Sequence, residues 1–151
     1  ETDLNATIRA GILESVHKQF ITWQLLKALK YIHSAGLVHR DVKPSNCLLN
    51  ADCKMKLCDF GLCRMLGGRA SGGLGQHAER GAAMTDYVAS RWWRPPEVLL
   101  GATTYGAAVD VWAVGCIVGE MYHGKPIFPG TSALNMLELI TRHVGTPTFN
   151  L

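Results

Sequence analysis

The chain has 151 residues, 48% of them hydrophobic and 18% charged, with a formal net charge of +3. That composition suits one globular domain with a real core and excludes a disordered or fibrous chain. The positive charge forms no long basic run, so nucleic-acid and membrane-surface binding are not expected. From the start, residues 1–13 read as a short helical or irregular lead-in. Residues 15–34 carry a helical stripe of Ile21, Leu25, Ala28 and Ile32; Trp23, Leu26 and Leu29 widen it, which predicts a helix covered on most sides. Gly36 fits the left-handed position just past that helix. Two short extended runs follow, Cys47–Leu49 and 54–57, joined by a turn at Asn50, Ala51 and Asp52.

Residues 67–82 include six glycines and few large apolar side chains, and are expected to form a mobile loop. Residues 109–121 are apolar nearly all round, as in a central buried helix. Leu134, Leu137, Ile140 and Val144 mark a last amphipathic helix capped by Thr131 or Ser132. No internal repeat and no apolar run of membrane length is found. The longest apolar run, 109–118, is broken by Asp110 and Gly115. The cysteines are Cys47, Cys53, Cys58, Cys63 and Cys116, and no C-x2-C pair occurs among them. That spacing argues against zinc. The odd count, with no secretory leader, predicts reduced thiols in a cytoplasmic or nuclear protein.

Three motifs carry chemistry. Residues 39–46 read H-R-D-V-K-P-S-N, residues 59–61 read D-F-G, and Pro96 and Glu97 follow. Together, in this order, they resemble the catalytic loop, the D-F-G element and the end of the A-P-E element of eukaryotic protein kinases. The resemblance implies a protein-kinase-like α+β fold: a mainly helical C-terminal lobe with a small β-hairpin, spanning residues 1–151, with 67–82 a flexible insert. It implies ATP and Mg2+ as cofactors. Asp41 would orient the acceptor hydroxyl and take its proton. Asp59 and Asn46 would hold the metal, since Mg2+ favours hard oxygen donors. Lys43 would meet the transferring phosphate, which favours Ser or Thr as acceptor. Asp3, Ser45 and Leu48 would approach the nucleotide with Lys43, Asn46 and Asp59. His39 and Phe60 would be packing residues, and Glu97 structural. Asp110, a charge too costly to bury without partners, would accept backbone N–H bonds from the catalytic loop.

Residues 85–94 read T-D-Y-V-A-S-R-W-W-R, which resembles the activation segment of MAP kinases. By that resemblance Thr85 and Tyr87 form a dual phosphorylation site. Arg40 and Arg64 would clamp the phosphothreonine, and Arg91 and Arg94 the phosphotyrosine. Between Asp59 and Glu97 lie 97 − 59 − 1 = 37 residues, a long segment that is similar to the atypical MAP kinase 15-like branch. Residues 46–50, N-C-L-L-N, share that similarity. Ser90 keeps the hydroxyl expected to bridge Asp41 and Lys43, and Trp93 stands for a tyrosine. Pro95 replaces an alanine, removes a backbone donor and restricts Arg94. Cys47 and Cys63 are expected to be packing thiols.

No glycine-rich phosphate loop and no V-A-I-K lysine occurs in the chain. The expectation is a partial catalytic domain, inactive by itself, lacking the N-terminal lobe. The implied function of the full protein is transfer of the ATP γ-phosphate to Ser or Thr before proline. Protein substrates, and an upstream activating kinase or autophosphorylation, are the implied partners. The alternative is a truncated kinase or pseudokinase acting as a non-catalytic interaction module.

Overall fold

The computed structural model describes residues 1–66, 91–103 and 106–146. In chain order the elements are β1 (Thr2–Asp3), α1 (Leu4–Ala10), α2 (Ser15–Ser34), β2 (Leu37–Val38), β3 (Cys47–Leu49), β4 (Met55–Leu57) and β5 (Arg64–Met65). After the residues not described come α3 (Pro96–Leu99), α4 (Ala108–His123) and α5 (Ala133–Val144). Single-turn 3-10 helices occupy Pro44–Asn46 and Phe60–Leu62. This is the expected mainly helical lobe with few strands. The predicted flexible insert, 67–82, lies outside the described residues.

The α2 helix starts and stops as its sequence dictates. Glu14 and His17 form a reciprocal cap at its start. At its end Gly36 takes φ 75° and donates its N–H to the carbonyl of His33 at 2.9 Å. Ile21, Leu25, Leu29 and Ile32 are buried, so Leu29 rather than Ala28 continues the inward stripe. The expected covering on most sides is corrected: Trp23 is 54% and Leu26 45% exposed. Trp23 stacks on Phe20 and carries the Lys27 ammonium over its face. Apolar type alone did not distinguish the two faces.

The first core gathers α1, α2, the 42–49 segment and α4 through Leu4, Ile8, Ile21, Leu25, Leu29, Val42 and Ile117. The second is smaller and contains Cys116, Phe128, Met136 and Ile140, with Trp92 and Trp112 against it. The last helix turns inward a face that only partly matches the expected one: Ile140 is buried as expected, but the two ends of the stripe are not. Leu134 is 80% and Val144 64% exposed, while Met136 and Ile140 are buried. Ser132, the second of the two candidate caps, accepts from the Asn135 N–H at 3.1 Å. Gly130 permits the close approach of the preceding turn to Met136. A Cβ there would lie 2.8 Å from the Met136 backbone nitrogen, so only glycine lets the turn close onto Met136. Eight of the sixteen residues of α4 are buried, but Val111 and Tyr122 are each 53% exposed.

Two sheets, neither fully legible in the sequence, tie the lobe together. Strand β1 pairs antiparallel with β3, matching Thr2 to Leu49 and Asp3 to Leu48. Strand β3 pairs with β4, as the hairpin pattern predicted. The second sheet matches Leu37 to Met65 and Val38 to Arg64. Strands of two residues have no period to read.

One buried acid links the cores. Glu120 on α4 is 3% exposed and accepts the Trp93 indole N–H at 2.9 Å. Burial pushes its carboxyl up, while the Trp93 bond and the Arg9 charge pull the other way. The folded state therefore binds this proton more tightly than the unfolded chain does. Stability should fall as pH rises from the ordinary glutamate range through the raised folded value. Thermal unfolding of Glu120→Gln across that range tests this: glutamine keeps an acceptor for Trp93, and the falling component is expected to vanish.

Candidate active site

The 39–46 loop is organised by a carboxylate from α4. Asp110 is 1% exposed. Its Oδ2 accepts the His39 N–H at 2.9 Å, and its Oδ1 accepts the Arg40 N–H at 2.8 Å. The His33 imidazole at the end of α2 approaches the same Oδ2 at 2.8 Å. Arg40 has φ 72°, a left-handed conformation that costs a non-glycine residue free energy. Bonds to a charged acceptor are worth about 1.5–3 kcal/mol each, enough to hold the loop in that shape.

His39 passes this order along. Its Nε2 lies 3.0 Å from the Cys58 carbonyl, and its Nδ1 accepts the Asp41 N–H at 3.3 Å. The ring meets both demands as the neutral tautomer that carries its proton on Nε2. Phe60 packs edge-on against it with centroids 4.9 Å apart.

Asp41, Lys43 and Asn46 come together. Lys43 Nζ donates to Asp41 Oδ2 at 2.7 Å. Asn46 Nδ2 donates to the Asp41 carbonyl at 2.8 Å and to Asp41 Oδ2 at 3.1 Å. Both donors converge on one carboxylate oxygen. The Asn46 amide is thereby oriented, its NH2 toward Asp41 and its Oδ1 away. Local chain geometry makes this possible: Lys43 is extended, Pro44 opens the 3-10 turn, and Asn46 falls at its end.

The hairpin brings Asp59 in. Asn46 accepts the Cys58 N–H at 2.9 Å, so Asp59 follows directly after the residue paired to Asn46. Asp59 is exposed, has φ 65°, and caps the 60–62 turn by accepting from Gly61 N–H at 3.4 Å. Asp3 and Leu48 are register partners on the adjoining strands. Asp3 Oδ1 accepts the Ala6 N–H at 2.7 Å as the cap of α1, a bond the sequence reading did not include. Leu48 is 44% exposed between the buried Cys47 and Leu49, and Ser45 is exposed.

Arg64 lies on the β2–β5 ladder opposite Val38, and Arg40 follows β2 by two residues. Arg40 Nη1 donates to the Leu62 carbonyl at 3.3 Å, and Arg64 Nη1 to the Cys63 carbonyl at 2.7 Å. Both guanidinium charges act on the Cys63 thiol, which burial and nearby carboxylates nevertheless raise. Arg94 N–H donates to the Arg91 carbonyl at 3.0 Å in the turn before α3. Pro95 is buried, with φ −72°, and its carbonyl accepts from Val98 and Leu99 as the cap of α3. Glu97 is exposed in the first turn of α3. Thr85, Tyr87 and Ser90 lie outside the described residues. All five cysteines are free; burial pushes Cys47 and Cys116 up to about 12, keeping both as thiols at neutral pH.

Three polar residues escaped the sequence reading: Gln24, His33 and Glu120. Glu120 carried a readable sign, an acid within the 109–121 segment read as apolar nearly all round. Gln24 and His33 carried none, because the partners that tie them to the site, Cys53, Met55 and Asp110, lie 29 or more residues away in sequence.

The protein kinase domain family model matches residues 1–148. The chain is 53% identical over 148 residues to extracellular signal-regulated kinase 2 of Dictyostelium discoideum, covering 98% of this chain and 39% of that protein. It is 51% identical over 149 residues to mitogen-activated protein kinase 15 of Mus musculus, covering 98% of this chain and 26% of that protein. Against mitogen-activated protein kinase 5 of Oryza sativa subsp. indica it is 47% identical over 149 residues, covering 98% and 37%. The chain thus spans less than half the length of each of these relatives. Among the described residues no helix is long and apolar enough to cross a membrane. With its catalytic-loop motifs, its helical lobe and this family match, the chain belongs to the protein kinase family.

Proposed function

We propose that the full protein transfers the γ-phosphate of ATP to a Ser or Thr hydroxyl of protein substrates, with Asp41 as the catalytic carboxylate. The observation that carries this reading is the convergence of Lys43 and Asn46 on one oxygen of Asp41. Phosphoryl transfer depends on positioned charge more than on covalent participation. Asp41 orients the acceptor hydroxyl and takes its proton as the oxygen bonds to phosphorus. Lys43, at 22% side-chain exposure, keeps its ammonium beside that carboxylate, where it meets the negative charge of the transferred group. Asn46 Oδ1 and the exposed Asp59 carboxylate supply two hard oxygens on adjoining ends of the hairpin, a donor set that suits Mg2+. When bound, Mg2+ neutralises charge on the nucleotide phosphates. Asp3 and the exposed Leu48 offer the nucleotide a polar edge and an apolar floor on adjacent strands.

Asp41→Asn and Asp59→Asn, each in the full-length protein, keep shape and remove charge. Phosphotransfer to a basic protein substrate is expected to fall at least about 100-fold in each, with unchanged circular dichroism. Near wild-type rates in either variant would overturn the role given to that residue.

The finer reading is regulation by phosphorylation of Thr85 and Tyr87, with acceptors that precede proline. What supports it is the placement of Arg64 on the β2–β5 ladder opposite Val38, two residues before Arg40 in the 39–46 loop. Arginine–phosphate bonds are strong and often bidentate. Because Arg40 adjoins Asp41, a phosphate gathered there would also steady the catalytic carboxylate. In the full-length protein Thr85→Ala and Tyr87→Phe are expected to lower activity at least about 10-fold, with phosphopeptides at both sites in the wild type. Full activity in both variants, with neither site ever modified, would refute the switch.

A further inference from the structure

We infer that Gln24 is a positioning residue for the metal-holding pair Asn46 and Asp59, acting through the β3–β4 hairpin. The inference rests on the reading of that pair given above. Asn46 immediately precedes β3, and Asp59 follows β4 by two residues, so the hairpin's orientation sets where both oxygens point.

The root of the hairpin is tied twice, by the Asn46 carbonyl to Cys58 N–H and by the His39 ring to the Cys58 carbonyl at 3.0 Å. Those two ties lie at one end, and β1 holds the β3 edge, matching Thr2 to Leu49 and Asp3 to Leu48. The β4 edge at the far end is held by Gln24. Its Oε1 accepts the Met55 N–H at 2.9 Å, and its Nε2 donates to the Cys53 carbonyl at 2.8 Å. The carbonyl of one residue and the N–H of the second residue after it are the groups a strand offers to a neighbouring strand. One side-chain amide thus stands in for a peptide unit and closes the edge of β4. Its orientation is fixed, because the flipped amide would set NH2 against N–H. Nε2 also lies 3.3 Å from the Phe20 carbonyl, one turn back on its own helix.

The residue it grips is under strain. Cys53 has φ 56°, the left-handed region for a non-glycine residue, where the chain enters β4. The Asn50 carbonyl accepts the Cys53 N–H at 3.0 Å and Gln24 takes the Cys53 carbonyl, so both sides of that residue are held.

The same helix anchors the other half of the site. His33, nine residues along α2 from Gln24 and about 13 Å away at 1.5 Å per residue, meets Asp110, which fixes the catalytic loop. One rigid helix therefore registers the Asp41 loop at one point and the hairpin at another. Without Gln24 the hairpin keeps its strand pairing and its root ties but loses the link that holds its β4 edge to α2.

The test uses the full-length protein with a non-hydrolysable ATP analogue and Mn2+ as the probe, free ion being read by electron paramagnetic resonance. Gln24→Met keeps length and loses all the bonds; Gln24→Glu keeps the Met55 bond and sets an oxygen against the Cys53 carbonyl. Gln24→Met is expected to weaken Mn2+ binding about 10-fold or more, in the range for outer-shell partners of metal ligands. Gln24→Glu is expected to fall between it and the wild type. Amide exchange at Met55 should quicken in Gln24→Met. Unchanged Mn2+ binding in both variants, with faster exchange at Met55, would overturn the inference and leave Gln24 merely structural. Asp59→Asn in parallel separates the two readings: if it too leaves Mn2+ binding unchanged, the metal-holding assignment itself is wrong, and the inference falls with it.

Discussion

The Asp110 carboxylate is the constraint on which the site depends. It sits 1% exposed within the lobe, where an unpaired charge would be untenable. It is tolerated because three donors surround it: the His39 and Arg40 amides and the His33 ring. The exchange works in both directions. The loop supplies the bonds that make the buried charge acceptable, and the charge holds Arg40 in a left-handed conformation that an arginine would otherwise avoid. Asp41 emerges from that bend already aimed.

From this anchor the order spreads through polar contacts of definite direction. The His39 ring joins the loop to the carbonyl of Cys58 and so to the start of the D-F-G element. Asn46 joins the loop to the hairpin and, through its amide, back to Asp41. The apolar clusters set where α2 and α4 lie, but they do not discriminate among small rotations of a loop. Directional bonds on a packed frame supply that precision. The arrangement suits a reaction whose catalysis is mostly the placement of charge.

Much of this was legible in the sequence, and the boundary has physical causes. The α2 span, the β3–β4 hairpin and the core helix with its buried Asp110 followed from period, turn residues and one costly charge. The motifs at 39–46 singled out Asp41, Lys43 and Asn46, which the fold brings together. What failed was the choice among apolar faces: Leu134 and Val144 were read inward, and Met136 faces the core instead. A glycine at 130 lets the chain close onto Met136, a contact visible only in three dimensions. Trp23 and Leu26 were read as covered for the same reason, since an apolar residue carries no mark of which side it faces. The strands β1, β2 and β5 are too short to show alternation. Gln24 and His33 act through partners far away in the chain, and no local pattern announces such a partner.

The account stands or falls on whether Asp110 imposes the shape of the catalytic loop. Asp110→Asn in the full-length protein replaces one acceptor oxygen with an NH2 group, which must then face a backbone N–H. Amide hydrogen exchange at His39 and Arg40, measured alongside phosphotransfer, is the direct reading. The account predicts that both amides lose protection by about 10-fold or more, consistent with bonds to a charged group, and that phosphotransfer falls with them while the α2 and α4 amides stay protected. Unchanged protection at His39 and Arg40 with full activity would contradict it, and would mean that the loop holds its bend without the buried charge.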